Sequence, residues 1–213
     1  MTRTWKRLAK STSGTSAVEF ALVLPLFLVL LLGTIDAGRF LWEYNEAEKA
    51  TQVGARVAIV TDVLAPGLRD ENYAGQTVDG VTIASGDRIP AGALGTIMCN
   101  STTCTCEAGP CPSNLGTFDS TTFTNVLLAR MQAIDPTIQA ENVEVRYSGS
   151  GLGTAGSAGG GGGTETLEIS PLVTVTLKDM TFTPITSLLF ASIPMPDLHT
   201  TLTAEDASGG YSN

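Results

Sequence analysis

The sequence predicts an α+β fold, in which a long N-terminal transmembrane helix continues into a small domain built on an antiparallel sheet. Three observations lead to this prediction. Residues 15–35 are predominantly apolar and contain one charged residue, Glu19. Residues 36–65 continue with helix-forming residues and an apolar stripe. Apolar and polar residues then alternate in the C-terminal half, at 142–148 and 166–182, as they do in half-buried strands.

The segment 15–35 has the length and composition of a membrane span. From Phe20 to Leu32 it carries no charge, and eleven of these thirteen residues are Leu, Val or Phe. The 19 residues from Ala17 to Ile35 would form a helix of roughly 28 Å, close to the ~30 Å hydrocarbon core of a bilayer. We therefore expect residues 15–35 to be a transmembrane helix.

The first 14 residues form a basic leader with no acidic residue. Its basic residues are Arg3, Lys6, Arg7 and Lys10. Because basic residues flank the cytoplasmic side of a span, we expect a cytoplasmic N-terminus and an extracytoplasmic C-terminal domain. The whole chain carries a net charge of −9, so residues 15–213 carry −13. Such an acidic domain lacks the basic surface that nucleic acid would need, and we expect no nucleic-acid partner.

A family resemblance is carried by Gly14, the TSAV that follows it, and Glu19-Phe20 before the apolar run. These residues resemble the processing site of type IV pilin-like proteins. More narrowly, AVEFALVLPLFLVLLLGTIDAGRF is similar to the TadE/TadG-like minor pilins of the tight-adherence (Flp) pilus system. The resemblance implies a pilin-like architecture, a prepilin-type leader at 1–14, and cleavage between Gly14 and Thr15 by an inner-membrane prepilin peptidase.

The same resemblance implies a structural role and not an enzyme. The chain would be a single-pass inner-membrane minor pilin or pseudopilin that helps to assemble or initiate a pilus for surface adherence. Implied partners are the prepilin peptidase, other pilins and minor pilins, the inner-membrane pilus assembly platform and membrane lipid. Glu19 and Phe20 would act in assembly. Glu19 would neutralise the new amino terminus, its own or a neighbour's, because a charged amine in an apolar bundle is costly unless paired.

Other interpretations of the N-terminal segment stay open. The chain could be a single-pass envelope adhesin or scaffold protein that is not incorporated in a pilus. The segment could also be an ordinary anchor in which Glu19 is incidental, or a cleavable secretory signal. Against a signal peptide, no A-x-A site follows Leu32.

Residues 36–65 predict an amphipathic extension of the helix, with apolar residues at spacings of three and four. This stripe consists of Phe40, Tyr44, Ala47, Ala50, Val53, Val57 and Val60. We expect one helix from about Ala17 to Val63, ended by Pro66-Gly67. Trp42 and Tyr44 are suited to the interfacial aromatic belt of a membrane protein.

Residues 66–213 predict the extracytoplasmic α+β domain, which includes a cysteine-bearing loop at 99–111. The four cysteines of that loop are Cys99, Cys104, Cys106 and Cys111. In an exported chain this cluster predicts two disulfides, with a zinc site as the less favoured alternative. Because a Cys104–Cys106 bridge would close a strained ring, two connectivities stay open. We slightly favour Cys99–Cys104 with Cys106–Cys111.

The remaining elements follow from local signals. Val78-Asp79-Gly80-Val81 predicts a turn between two extended pieces. Asp119 predicts the N-cap of a helix that ends at Asp135-Pro136. The sequence DLHTTLTAED at 197–206 predicts a last strand.

Two motifs resemble a dinucleotide-binding site and a hydrolase site, but each has a simpler structural interpretation. Gly151–Gly156 has the form G-x-G-x-x-G, but the five glycines at 159–163 oppose the helix that a dinucleotide site needs. The glycine-rich loop 149–164 therefore predicts a flexible connection. Asp197 and His199 share one face of a strand by alternation alone, without a G-x-S-x-G motif. We expect no catalytic residue, cofactor, metal or small-molecule substrate.

Overall fold

The computed structural model describes residues 15–156, 167–188 and 191–204 of the 213-residue chain. The leader 1–14 and the second part of the glycine-rich loop lie outside the described residues. The chain divides into two units, Met1–Trp42 with Phe182–Ile193, and Glu43–Thr181 with Pro194–Asn213. A long helix and antiparallel sheets occur together, which confirms the α+β fold.

After the long first helix, short helical elements separate groups of two or three strands. The helical elements are α1 (Thr15–Ala58), a π-helix (Thr122–Leu128), α2 (Ala129–Gln132) and 3-10 turns at Pro66–Leu68, Ala91–Ala93, Ala140–Asn142 and Ile185–Leu188. The strands are β1 (Thr77–Val78), β2 (Val81–Thr82), β3 (Thr96–Cys99), β4 (Cys104–Ala108), β5 (Val143–Ser148), β6 (Leu172–Leu177), β7 (Thr181–Phe182), β8 (Ile193–Pro194) and β9 (Leu198–Thr203).

A five-stranded sheet organises the second unit. Its strand order is β4-β3-β5-β6-β9, and each neighbouring pair is antiparallel. The strands predicted at 142–148 and 166–182 are its central strand β5 and the neighbouring β6. The alternation places one face of each strand in the core, and these buried residues are Val143, Val145, Tyr147, Val173, Val175 and Leu177.

The polar face of the sheet contains a buried carboxylate. Glu144 on β5 is only 5 % exposed, although the alternation directs it away from the core. Two basic side chains cover it, because Arg146 and Lys178 form ion pairs with its two oxygens at 2.7 and 2.9 Å. A buried charge is tolerated when it is paired in this way.

The part of α1 in the second unit packs through small residues rather than through the predicted valines. Its buried face consists of Ala47, Ala50, Thr51, Gly54, Ala55 and Ala58. A side-chain carbon at Gly54 would lie 2.8 Å from Met131 Sδ and 3.3 Å from Val175 Cγ1. A helix this close to its neighbours can present only small side chains to them. The predicted stripe was wrong at Val60, which is 49 % exposed, because the helix has ended before this residue.

Helix α1 also ends at Ala58, five residues earlier than predicted. After Ala58 the chain turns, and the amide of Leu64 donates to the buried Tyr147 hydroxyl at 3.1 Å. Residues 63–65 are all buried. The contact with Tyr147, which lies 83 positions further along the chain, holds this segment outside the helix.

Two local predictions are confirmed. Asp79 and Gly80 both have positive φ, 50° and 80°, and connect the antiparallel β1 and β2 as a two-residue hairpin turn. Asp119 caps the helical residues that follow it by accepting the amides of Thr121 and Thr122, each at 3.0 Å. Burial alone would raise the pKa of Asp119, but these hydrogen bonds lower it below its ordinary value.

Two disulfides lie in and beside the β3–β4 hairpin. Cys99 is bonded to Cys104, its partner across the hairpin, and Cys106 is bonded to Cys111. This is the connectivity that the sequence slightly favoured. Both bridges close short loops, so they rigidify the hairpin more than they stabilise the whole fold.

We predict that the protein isolated from cells contains these two bridges and no free thiol. Peptide mapping by mass spectrometry without reduction should recover Cys99 linked to Cys104, and Cys106 linked to Cys111. Reduction before alkylation is the control and should release four thiols. Recovery of Cys99 linked to Cys106, of alkylatable thiols without reduction, or of stoichiometric zinc would show that the prediction is wrong.

Candidate assembly site on the N-terminal helix

The predicted processing and assembly residues lie at the start of α1. Thr15 is its first residue and Glu19 follows one turn later, whereas Gly14 lies outside the described residues. Residues four apart in a helix share a face, and these two are separated by about 6 Å along the axis. Glu19 is therefore placed to approach the amino group that cleavage before Thr15 would create.

The helix around Glu19 exposes a broad apolar surface. Phe20, Leu22 and Leu26 are 64, 75 and 73 % exposed, and apolar side chains stay exposed as far as Ile35. An apolar surface of this extent exceeds what soluble proteins leave in contact with water. Among the described residues, α1 is the one helix that is long and apolar enough to cross a membrane. This surface is consistent with a single-pass membrane anchor.

The composition of the segment allows it to carry Glu19. Eleven Leu, Val and Phe residues between Phe20 and Leu32 would favour insertion by about 3–7 kcal/mol, at ~0.3–0.6 kcal/mol each. An acidic residue costs about 3 kcal/mol at the centre of a span and less near its end. Glu19 lies near the end, so the segment can insert with this carboxylate, and a cationic partner would reduce the cost further.

A second set of polar contacts lies at the other end of the apolar segment, within the first unit. Asp36 is 7 % exposed and accepts the Ile185 amide at 2.7 Å through one carboxylate oxygen. Its other oxygen accepts the Thr186 amide at 3.0 Å and the Thr186 hydroxyl at 2.7 Å. Arg39, one turn further along α1, lies 3.6 Å from the carboxylate. Asp36 thus fastens the turn at Ile185–Leu188 to α1.

Aromatic contacts strengthen this attachment. The Phe40 and Phe182 rings meet edge to face, with their centroids 5.5 Å apart. The Arg39 guanidinium lies 5.4 Å from the centroid of the Phe182 ring, within the range of a cation–π contact. We call this set the Asp36 clasp, which consists of Asp36, Arg39, Phe40, Phe182, Ile185 and Thr186.

The clasp favours the ionised form of Asp36. Burial alone would raise the pKa of this carboxyl, but the hydrogen bonds from Thr186 and Ile185, together with the charge of Arg39, lower the pKa below its ordinary value. The carboxylate therefore stays ionised at neutral pH, and the clasp weakens only when the pH falls through this lowered pKa.

The Asp36 clasp was not predicted from the sequence. Asp36 is the first residue after the predicted span 15–35, and its partners lie 149 and 150 positions away. The available signal was a lone acidic residue directly after the span, followed at 184–186 by a Pro-Ile-Thr turn sequence that offers backbone donors. Nothing in the sequence links the two segments.

The glycine motif at 151–156 and the pair of Asp197 and His199 both lie in the second unit. Asp197 and His199 are exposed at and before β9, and they line a cavity of about 240 Å³ with Tyr44 and Glu48. Thr200 in the same cavity has its hydroxyl 3.2 Å from that of Thr51. These contacts hold β9 against α1 within the second unit and do not bring a nucleophile to His199 among the described residues.

The glycine motif forms a turn. Gly151, Gly153 and Gly156 all have positive φ, and Gly153 and Thr154 form isolated bridges with Ile169 and Arg88. No helix begins within the described part of this loop, which reaches Gly156. The following glycines at 159–163 lie outside the described residues.

The comparison with protein families concerns the segment that contains Glu19 and Asp36. Residues 14–56 match the family model described as TadE-like protein, which confirms the resemblance predicted for this segment. The match covers about a fifth of the chain. Neither a curated protein nor a solved structure matches the chain.

We predict that Asp36→Ala releases the turn at Ile185–Leu188, because three donors lose their acceptor together. Hydrogen exchange of the full-length protein in detergent should be faster by about tenfold or more in peptides that cover 184–188. The control is Asp197→Ala, which removes an exposed carboxylate and should leave these peptides unchanged. Equal exchange in Asp36→Ala and the unmodified protein would contradict a structural role for the clasp.

Proposed function

Since the chain carries a TadE-like domain at residues 14–56, we propose that it is a minor pilin or pseudopilin of a tight-adherence (Flp) pilus. Its role is structural: it helps to assemble or initiate the pilus and so contributes to surface adherence. The observation that carries this proposal is the family match over residues 14–56. This segment includes the exposed apolar part of α1, whose one charged residue between 15 and 35 is Glu19, near its start.

The proposed location is the inner membrane, with a single span at residues 15–35. Four basic residues precede the span and none lies within it. This asymmetry favours a cytoplasmic N-terminus and an extracytoplasmic C-terminal domain. Membrane lipid is therefore the first partner of α1, and the acidic domain reaches the periplasm or the cell surface.

The proposed processing step is cleavage between Gly14 and Thr15 by a prepilin peptidase. Glycine at 14 presents no side chain, so a membrane-embedded peptidase can approach the peptide bond closely. The basic leader holds this bond at the cytoplasmic face, within reach of such an enzyme. Cleavage removes four positive charges and creates one amine close to the membrane.

The proposed assembly step pairs this amine with Glu19, of the same subunit or of a neighbour. Assembly transfers the apolar surface of α1, including Phe20, from lipid to the helices of other pilins and minor pilins. In such an apolar bundle an unpaired charge would cost about 3–5 kcal/mol. Glu19 removes that cost, and the inner-membrane assembly platform is the partner that would bring the subunits together.

We predict that the mature protein begins at Thr15. N-terminal mass spectrometry of protein from cells with an active prepilin peptidase should identify Thr15 as the first residue, and Gly14→Trp should retain the full leader. The same cells without the peptidase are the control and should yield only the uncleaved form. Uncleaved unmodified protein in the presence of the peptidase would refute the processing step.

The assembly role of Glu19 is tested separately from cleavage. Glu19→Ala should still be cut at Thr15, but the number of pili should fall by more than tenfold, because an amine in the bundle loses its partner. Glu48→Ala removes an exposed carboxylate from α1 beyond the proposed span and should leave piliation unchanged. Normal piliation of Glu19→Ala would favour an envelope anchor that is not incorporated in a pilus.

A further inference from the structure

The first unit exposes apolar side chains outside α1, at the turn that the Asp36 clasp holds and on β8, which pairs with β7. Ile185 is 54 % exposed and Ile193 is 46 % exposed. Both belong to a stretch with no charged residue between Asp179 and Asp197. Scattered apolar residues on a surface are common, but these two lie in the unit that contains the apolar helix.

The clasp satisfies the polar groups that would otherwise keep this turn in water. The first amides of a helical turn have no acceptor within the turn, and here Asp36 accepts those of Ile185 and Thr186. It also accepts the Thr186 hydroxyl. Because exposed donors are what makes irregular backbone costly in a bilayer, a turn with its donors bonded can enter the membrane interface.

The clasp lies at the point along α1 where the helix would leave the hydrocarbon core and enter the membrane–water interface. Asp36 directly follows the apolar segment 15–35. The interfacial layer on each side of the hydrocarbon core is about 5–8 Å thick, so Asp36, one residue past the segment, falls within it. Trp42, which is 68 % exposed, lies about 9 Å further along the helix axis, at the outer edge of this layer. The Ile185 amide bonds to Asp36 and is therefore level with the end of the apolar segment.

We propose that Ile185 and Ile193 form a second membrane contact, which inserts into the interface of the extracytoplasmic leaflet beside α1. This inference rests on the single span of the proposed function. The chain would touch the bilayer both through α1 and through a turn near its C-terminus, with Asp36 as the link.

Lipid is favoured over a second copy of the chain as the occupant. A stable protein interface buries at least about 1,000 Å² in total, which is more than two isoleucines can provide. Ile185 also lies at the end of the apolar surface of α1, because its amide bonds to Asp36, the residue after Ile35, which is itself 45 % exposed. A bilayer that covers α1 as far as Ile35 would meet Ile185 without any further rearrangement.

The test uses a photoreactive benzoylphenylalanine at a single position of the full-length protein in vesicles of phosphatidylethanolamine and phosphatidylglycerol. The expected result is a lipid adduct, detected by intact mass, at position 185 and at position 193. Leu26, in the middle of the proposed span, is the reference position and should also give a lipid adduct. Combining the label at 185 with Asp36→Ala should reduce the lipid adduct several-fold, whereas the adduct at position 26 should not change.

Each other outcome contradicts a specific claim. A lipid adduct at position 26 but none at 185 or 193 would overturn the second membrane contact and leave the anchor intact. No lipid adduct at position 26 would overturn the span on which the inference rests. Protein dimers in place of lipid adducts at 185 would identify a second copy of the chain as the occupant. An unchanged adduct at 185 in Asp36→Ala would show that the clasp does not position the turn.

Discussion

The apolar surface of α1 from Val18 to Ile35 is the constraint on which the rest of the structure depends. Water cannot solvate it at acceptable cost, so only lipid or other apolar helices can cover it. This requirement excludes charge from the segment between Glu19 and Asp36. Because this surface is covered by lipid or other helices, it is not available to the core of the second unit, which must be formed by other residues. This core lies between the five-stranded sheet and the small residues of α1 after Glu43.

Glu19 and Asp36 mark the two ends of that surface and meet different requirements. Asp36 accepts hydrogen bonds from Ile185 and Thr186 and lies 3.6 Å from the Arg39 guanidinium, so its charge is compensated within the subunit. Glu19 is exposed at the first turns of α1. In the proposed function its partner is an amino terminus that exists only after cleavage. One carboxylate would thus serve the fold of the subunit and the other its assembly.

Local signals allowed much of this fold to be predicted. The apolar run predicted α1, alternation predicted β5 and β6, and Asp119 and Asp79-Gly80 predicted a cap and a turn. Contacts between distant segments could not be predicted. Gly54 is buried because Met131 and Val175 approach it, and periodicity alone favours larger residues at such a face. The partners of Asp36 likewise depend on how the chain returns to α1 after β6. Local sequence patterns carry no information about such a contact between distant segments.

A measurement of the orientation of the chain in the membrane tests this account most directly, because both the proposed processing step and the proposed export of the domain depend on that orientation. A fusion of alkaline phosphatase after Asn213 should be active in intact cells, whereas β-galactosidase at the same position should be inactive. Removing the four basic residues of the leader should weaken this difference. A fusion with active β-galactosidase and inactive phosphatase would place the domain in the cytoplasm and contradict the account.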